Sequence, residues 1–292
     1  MLKFNIENKV QAHFQLVVRK KDSGDVVKES SWFPNIVLNQ GLERLGYGGV
    51  MNYCRVGVGS SAPLATQTQL DQQVASTNTT EGSDSYGVNP SRGYSYIRRT
   101  YRFNSGSAAG NITEVGLGWG ASGPESLFNR AMIRDTSDNI TTVTVLSDEV
   151  LDVLVELRSY VSLTPKSAVA TISSVQYDLV IQPFIESGSG IFNSSYSCNG
   201  AQGYSGAITG VSSRPPGSLD SFGVTNKNYI GASLKKQFEI YWGLNQGNAA
   251  PLKTIVCSTP YCSYQVELNP PIPKTSETVL KLSFEVSWGR YE

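Results

Sequence analysis

Val10, Ala12, Phe14, Leu16 and Val18 alternate with Gln11, His13, Gln15, Val17 and Arg19. A period of two puts the apolar set on one face and predicts a strand. Asp22-Ser23-Gly24-Asp25 is turn chemistry, and Val26-Val27 opens a partner strand, so a hairpin is expected. The same alternation places Ile97, Arg99, Tyr101 and Phe103 on one face of a later segment, against Tyr96, Arg98, Thr100 and Arg102. It places Leu151, Val153, Val155 and Leu157 on another, against Asp152, Leu154, Glu156 and Arg158. Tyr177, Leu179 and Ile181 follow, then Phe238, Ile240 and Trp242, and finally Leu280, Leu282, Phe284, Val286 and Trp288. Val10, Phe14, Leu16, Val153, Val155, Leu157, Leu282, Phe284 and Trp288 are the expected core.

Three kinds of segment depart from that pattern. Leu38, Leu42 and Leu45 fall at helical spacing, with Asn39 placed to cap and Gly46 placed to stop, which predicts one short helix. In Val56-Gly57-Val58-Gly59 and Val115-Gly116-Leu117-Gly118-Trp119 large residues alternate with glycine. Such strands have one flat face, where another backbone can approach closely. Residues 60–93 and 186–232 are polar and rich in turn formers, and are expected to be long loops. The fold class that results is mainly β: an antiparallel sandwich or jelly-roll-like architecture with one short helix near the N-terminus and long polar loops. A division near Thr164-Pro165-Lys166 predicts a β-sandwich domain over 1–163. A second β-rich domain over 164–292 would carry the Gly/Ser-rich insertion 186–232.

Composition narrows what such a fold would do. Of 292 residues only 16% are charged, against about one quarter in ordinary globular chains. Net charge is zero, so the basic excess that phosphate binding requires is missing, and no nucleic-acid partner is expected. Weak self-repulsion favours association. The first residues hold no signal-peptide pattern, and no stretch approaches the ~18 apolar residues of a membrane span, so the chain is expected in the cytoplasm where it is made, without membrane insertion. The Asn-x-Ser/Thr triplets at Asn78, Asn111, Asn139 and Asn193 then read as chance.

Candidate chemistry is sparse. His13, the single histidine, lies in a strand pattern with no nucleophile motif around it. Gly116, Gly118 and Gly120 alternate within a strand instead of opening a helix, so they do not form a phosphate loop. Asp148 and Glu149, the acidic pair weighed for sugar hydrolysis, sit at a strand start where solvated carboxylates are ordinary. Cys54, Cys198, Cys257 and Cys262 offer no second close ligand pair for zinc. Cys257 and Cys262 bracket Ser-Thr-Pro-Tyr, a turn that could bring them together. No catalytic residue, cofactor site or metal site is assigned, and no enzyme activity is expected. Tyrosine stands out: Tyr47, Tyr53, Tyr86, Tyr94, Tyr96, Tyr196, Tyr204, Tyr229, Tyr261 and Tyr264 lie in Gly/Ser/Asn-rich contexts. They read either as interface residues or as loop side chains packed on their own sheet.

One ordered series of strings carries a resemblance. It comprises Trp32-Phe33-Pro34-Asn35-Ile36-Val37-Leu38-Asn39-Gln40-Gly41-Leu42, then Arg55-Val56-Gly57-Val58-Gly59-Ser60-Ser61-Ala62-Pro63, then Tyr96-Ile97-Arg98-Arg99-Thr100-Tyr101-Arg102-Phe103. Ile112-Thr113-Glu114-Val115-Gly116-Leu117-Gly118-Trp119, Leu127-Phe128-Asn129-Arg130-Ala131-Met132-Ile133 and Val145-Leu146-Ser147-Asp148-Glu149 follow. The series resembles proteins of the tail modules of tailed bacteriophages and covers roughly residues 32–160. The resemblance implies a virion structural protein in a tail fibre, tail tip or baseplate, made in the host bacterial cytoplasm. It implies a homo-oligomer of three copies or a multiple of three among other phage tail proteins. A receptor- or glycan-binding module at a fibre tip, contacting the host surface, is the alternative; a glycan-degrading tail enzyme ranks third. The motifs are structural, so no functional residue carries over.

Overall fold

Strands form where the alternation places them. A computed structural model describes residues 5–49, 51–186 and 195–292. In it the strand Asn5–Lys20 buries Val10, Ala12, Phe14, Leu16 and Val18. Glu149–Val161 buries Leu151, Val153, Val155 and Leu157, and Leu280–Arg290 buries Leu282, Phe284, Val286 and Trp288. Every member of the expected core set is buried. The chain is mainly β, with one α-helix among the described residues.

The chain divides into two compact units, each assembled from separate stretches. One comprises Met1–Lys9, Gly87–Ser95 and Ser159–Gly289; the other comprises Val10–Tyr86, Tyr96–Arg158 and Arg290–Glu292.

In the first unit the antiparallel strand order is Lys166–Ile172, Val175–Phe184, Ser263–Ile272, Leu252–Ser258, Gly200–Tyr204, Ser218–Asn226, Lys235–Trp242 and Leu280–Arg290. Register aligns like with like: Leu179 with Leu268, Ile181 with Val266, Phe238 with Phe284, and Ile240 with Leu282. Rings fill the space between. Tyr196 stacks on Tyr261 at 4.0 Å and on Trp288 at 4.4 Å, and Phe222 lies parallel to Trp242 at 4.0 Å. Gly203 faces the Trp242 ring so closely that any β-carbon there would collide with it.

The expected loop 186–232 is therefore not simply a loop. It supplies the strands Gly200–Tyr204 and Ser218–Asn226, and it buries Tyr196, Cys198, Ala201, Tyr204 and Phe222. Its glycines and glutamines break the apolar alternation without preventing ladder hydrogen bonds, which depend only on backbone. The irregular connection between these strands is tied down by side chains. Thr254 Oγ1 donates to Gly206 O at 2.7 Å and Gln265 Nε2 to Gly210 O at 2.7 Å, while Ile208 N–H donates to Glu267 Oε2 at 2.9 Å. Asn193 lies outside the described residues.

In the second unit the parts of Asn5–Lys20, Glu149–Val161, Tyr94–Phe103 and Ser85–Asn89 that belong to it lie side by side in that order. Val26–Glu29 and Phe33–Pro34 add to Asn5–Lys20, with Phe14 opposite Phe33. A separate antiparallel sheet runs Ile36–Val37, Asn129–Met132, Glu114–Gly118, Tyr53–Gly57 and Gln73–Thr77. The expected loop 60–93 contributes two of these strands, and its end, in the first unit, holds a 3-10 turn Pro90–Arg92 whose last backbone N–H is accepted by the Asn89 side chain. Its irregular parts are the first dozen or so residues, before Gln73, and the link 78–84 between the two strands.

The helix Asn39–Tyr47 buries Leu42 and Leu45 as expected, but its ends differ. Leu38 occupies the cap position without a side-chain bond, and Asn39 is already helical; its Oδ1 accepts from Arg290 Nη2 at 3.0 Å instead. The helix runs past Gly46 and stops at Gly48, whose φ of 85° needs glycine.

The strand start and the second face of Glu149–Val161 also depart from expectation. Glu149, Asp152 and Glu156 are buried, not solvated. Arg19 and Arg102 converge on Asp152 at 3.0 and 2.7 Å, and Arg98 and Arg158 both reach Glu156 at 2.5 Å. Lys20 pairs with Glu149 at 3.1 Å, and the Leu146 N–H donates to the same carboxylate at 2.9 Å. The long arginine and lysine stems cover the carboxylates, so a polar face becomes an interior one.

Candidate functional site

Three of the glycine- and charge-bearing strings, residues 55–63, 112–119 and 127–133, meet around one carboxylate in the second unit. Glu114 and Arg130 are both fully buried. Arg130 Nε donates to Glu114 Oε2 at 2.8 Å. The Glu114 side chain also accepts the backbone N–H groups of Gly59 at 3.0 Å, Asp71 at 3.1 Å and Gln72 at 2.8 Å. Arg130 spreads its remaining donors over Gln67 Oε1 at 2.8 Å, Ser61 Oγ at 3.2 Å, Ser61 O at 3.1 Å and Asp71 Oδ2 at 3.0 Å. Burial works against the charged form of Asp71. The Ser61 hydroxyl and N–H and the Arg130 guanidinium outweigh it and hold the Asp71 carboxyl below its ordinary pKa. The irregular chain from Gly59 to Gln72 is thus bound to one buried ion pair.

Glycine is needed where these strings cross. A β-carbon on Gly57 would sit 2.5 Å from both Gln72 O and the Glu114 carboxylate. One on Gly116 would collide with Asn129 O, one on Gly118 with Ser126 O, and one on Gly41 with Phe128 O. The close backbone approach expected of the alternating glycines is therefore present. Asn129 Oδ1 accepts the Leu117 N–H at 2.8 Å, and Gln40 Nε2 donates to Thr68 O at 2.9 Å and Leu127 O at 2.7 Å.

A second buried guanidinium works without a carboxylate among its hydrogen-bond partners. Arg55 donates to the carbonyls of Gly120 at 2.8 Å, Gly123 at 3.1 Å, Ser122 at 3.3 Å and Ser126 at 3.1 Å, and to the Ser126 hydroxyl. Burial lowers its pKa from the ordinary value. It gathers the 120–126 turn around a single charge.

Beside this module lies a recess of about 390 Å³ lined by Gln40, Glu43, Arg44, Tyr47, Thr68, Trp119 and Glu125. Arg44 lies over the Trp119 ring, 5.1 Å from its centroid, and Tyr47 is 63% exposed at the rim. An aromatic rim over polar walls gives stacking area together with hydrogen-bonding groups.

The tyrosines separate into two populations. Tyr47 and Tyr86 are exposed, and Tyr53, Tyr96 and Tyr229 are half-buried. Tyr94, Tyr196, Tyr204, Tyr261 and Tyr264 are buried in the first unit, so for these five the interface reading is corrected to packing on their own sheet. His13 is half-buried in its strand; burial and the nearby Arg158 guanidinium lower its pKa to about 4. All four cysteines are buried free thiols. Cys257 and Cys262 flank a turn as expected, and Cys257 pairs in register with Tyr264. Among the described residues no group of three or more His, Cys, Asp or Glu could hold a metal, and no helix is long and apolar enough to cross a membrane.

Sequence reasoning missed Glu114, Arg130 and Arg55 as organising residues. The signal was there: each is a lone charge inside an apolar or glycine-rich string, Ile-Thr-Glu-Val-Gly-Leu, Phe-Asn-Arg-Ala-Met and Cys-Arg-Val-Gly. A charge placed in a strand that is buried on both faces requires an opposite charge or a carbonyl cage. Comparison with protein-family models, with curated proteins and with solved structures finds no match to this chain.

Proposed function

We propose that the protein is a structural component of a phage tail, in a fibre, tail tip or baseplate, acting by symmetric assembly and not by catalysis. One observation carries the reading. Four of the six strings that resemble tail-module proteins come together; Gly41, Gly57, Gly59, Glu114, Gly116, Asn129 and Arg130 interlock in one network, to which residues 96–103 and 145–149 add none. A likeness borne by residues that together fix a backbone is a likeness of architecture. The copies would number three or a multiple of three, beside other tail proteins. Deleting the gene tests this. Loss of tailed, infective particles supports it, whereas normal infective particles overturn it.

The recess beside Arg44, Trp119 and Tyr47 favours a second reading, a receptor- or glycan-binding module at a fibre tip. Its walls carry Glu43 and Glu125 against Arg44, so a neutral sugar ring fits the charge better than an acidic one. Particles that assemble normally but fail to adsorb when Tyr47 and Trp119 are both changed to Ala would select this reading over a purely structural one.

A further inference from the structure

In the first unit the strand Lys166–Ile172 stands last in the sheet order. It pairs with Val175–Phe184 along one side, and among the described residues no strand pairs with its other side. The hairpin is regular. Seven pairs run without a register shift from Lys166 opposite Ile181 to Ile172 opposite Val175. The turn residues Ser173 and Ser174 both have positive φ, as the two-residue type I′ turn of a hairpin requires. Sheet edges are ordinarily guarded by a charge, a proline or a bulge within the strand. Here Pro165 and Lys166 stand at the entry, and Ser167-Ala168-Val169-Ala170-Thr171 carries none of the three. Val169 is 63% exposed, and Val180, on the same face of the hairpin, is 41% exposed.

We propose that this edge joins two copies of the chain, antiparallel, about a two-fold axis through Val169. The strand's own sequence points to a second copy as the occupant. Read in either direction from Val169, it presents an alanine and then a hydroxyl residue: Ala168 and Ala170, Ser167 and Thr171. Antiparallel pairing centred there sets Val169 against its own counterpart, Ala168 against Ala170 and Ser167 against Thr171. Lys166, the strand's one charge, falls opposite the neutral Ile172, so no like charges meet across the axis. Backbone N–H and C=O groups that face water on the outer side of one copy gain partners in two. The match is of the strand to itself, so every contact is made twice, as an isologous interface requires. Each copy spends this edge on its counterpart, and pairing through it stops at two instead of growing into a fibre. Pairing of one seven-residue strand buries less than the roughly 800 Å² per partner of a standard interface, so the dimer should come apart on dilution. The contact has its own axis and its own residues, and stands independently of the tail reading.

Sedimentation velocity and hydrogen exchange on the full chain, across a concentration series, test this. The expected result is an even-numbered species that dissociates on dilution. Alternate amides of residues 167–171 should exchange about tenfold more slowly in the concentrated sample. Val169→Glu sets two carboxylates against each other across the axis, each beside its own Asp178, at an exposed position. The fold should survive, and the association should weaken about tenfold or more. Cysteine scanning reads the register, since the four native thiols are buried. Under oxidised glutathione Val169→Cys should link to itself, Ser167→Cys should not, and Ser167→Cys mixed with Thr171→Cys should link. The exchange measurement needs no variant, so a variant that misfolds leaves it standing. A monomer or an odd-numbered species at every concentration would overturn the proposal. So would exchange at residues 167–171 that ignores concentration, association untouched by Val169→Glu, or self-linking of Ser167→Cys.

Discussion

The two units solve the same problem with different materials. In the first, the interior is ring on ring: Tyr196 between Tyr261 and Trp288, Phe222 on Trp242, Phe238 on Phe284. In the second, much of the interior is charge on charge, with Glu114, Arg130, Asp152 and Glu156 all buried. Aromatic rings contribute area and tolerate many partners, so they stabilise without dictating where an irregular segment must lie. A buried carboxylate tolerates very few arrangements, because every lone pair left unmet is costly. The chain from Gly59 to Gln72 has few apolar side chains of its own, and charge is what positions it.

That contrast can be broken from either side. The largest effect is expected for Arg130→Met, which keeps volume but leaves Glu114 buried without its cation; about 3–5 kcal/mol should be lost. The urea midpoint measures it, and a variant as stable as the parent would show that charge does not hold the second unit. Phe284→Ala in the first unit should cost about 3 kcal/mol or slightly more through the cavity beside Phe238. Its ion pairs should be untouched, so the loss should be equal at low and high salt.

His13 sharpens the comparison through pH. Its native pKa of about 4 lies below the ordinary 6.5, so the unfolded chain binds the extra proton first. The neutral form's contribution is complete above pH 6.5 and is lost as pH falls towards 4. The loss is on the order of 2–3 kcal/mol. Melts of the parent and His13→Gln across that window should differ in slope, and parallel curves would refute the assignment. Smallest is Gly116→Ala, where the added methyl meets Asn129 O and should cost about 1–3 kcal/mol.

What the sequence made legible follows the same division. Val10, Phe14, Leu282 and Trp288 could be placed because period two and apolar character agree there. Asp152 and Glu156 sit on the alternate positions of such a strand, where polar character normally means solvent. Nothing local reveals that Arg19, Arg98, Arg102 and Arg158 arrive to cover them. The strand Gly200–Tyr204 was hidden because Gly-Ala-Gln-Gly-Tyr has no strand propensity of its own and is held by its neighbours' ladders. Tyr196 and Tyr261 misled for a different reason. An amphipathic ring in a Ser/Asn-rich stretch suits a surface and a core equally, and only stacking partners distant in sequence decide between them. The recess was partly legible, since Tyr47 was singled out, but Trp119 belongs to a string more than seventy residues away.

The Glu114 carboxylate has one further consequence, visible to deuterium. Backbone amides in irregular segments normally exchange within seconds, since water reaches them without unfolding. Those of Gly59, Asp71 and Gln72 lie outside any ladder but donate to a carboxylate that water does not reach. Their exchange should require the opening of the second unit's interior and should run as slowly as that of strand amides. By exchange rate, if not by dihedral angles, part of this loop behaves as core.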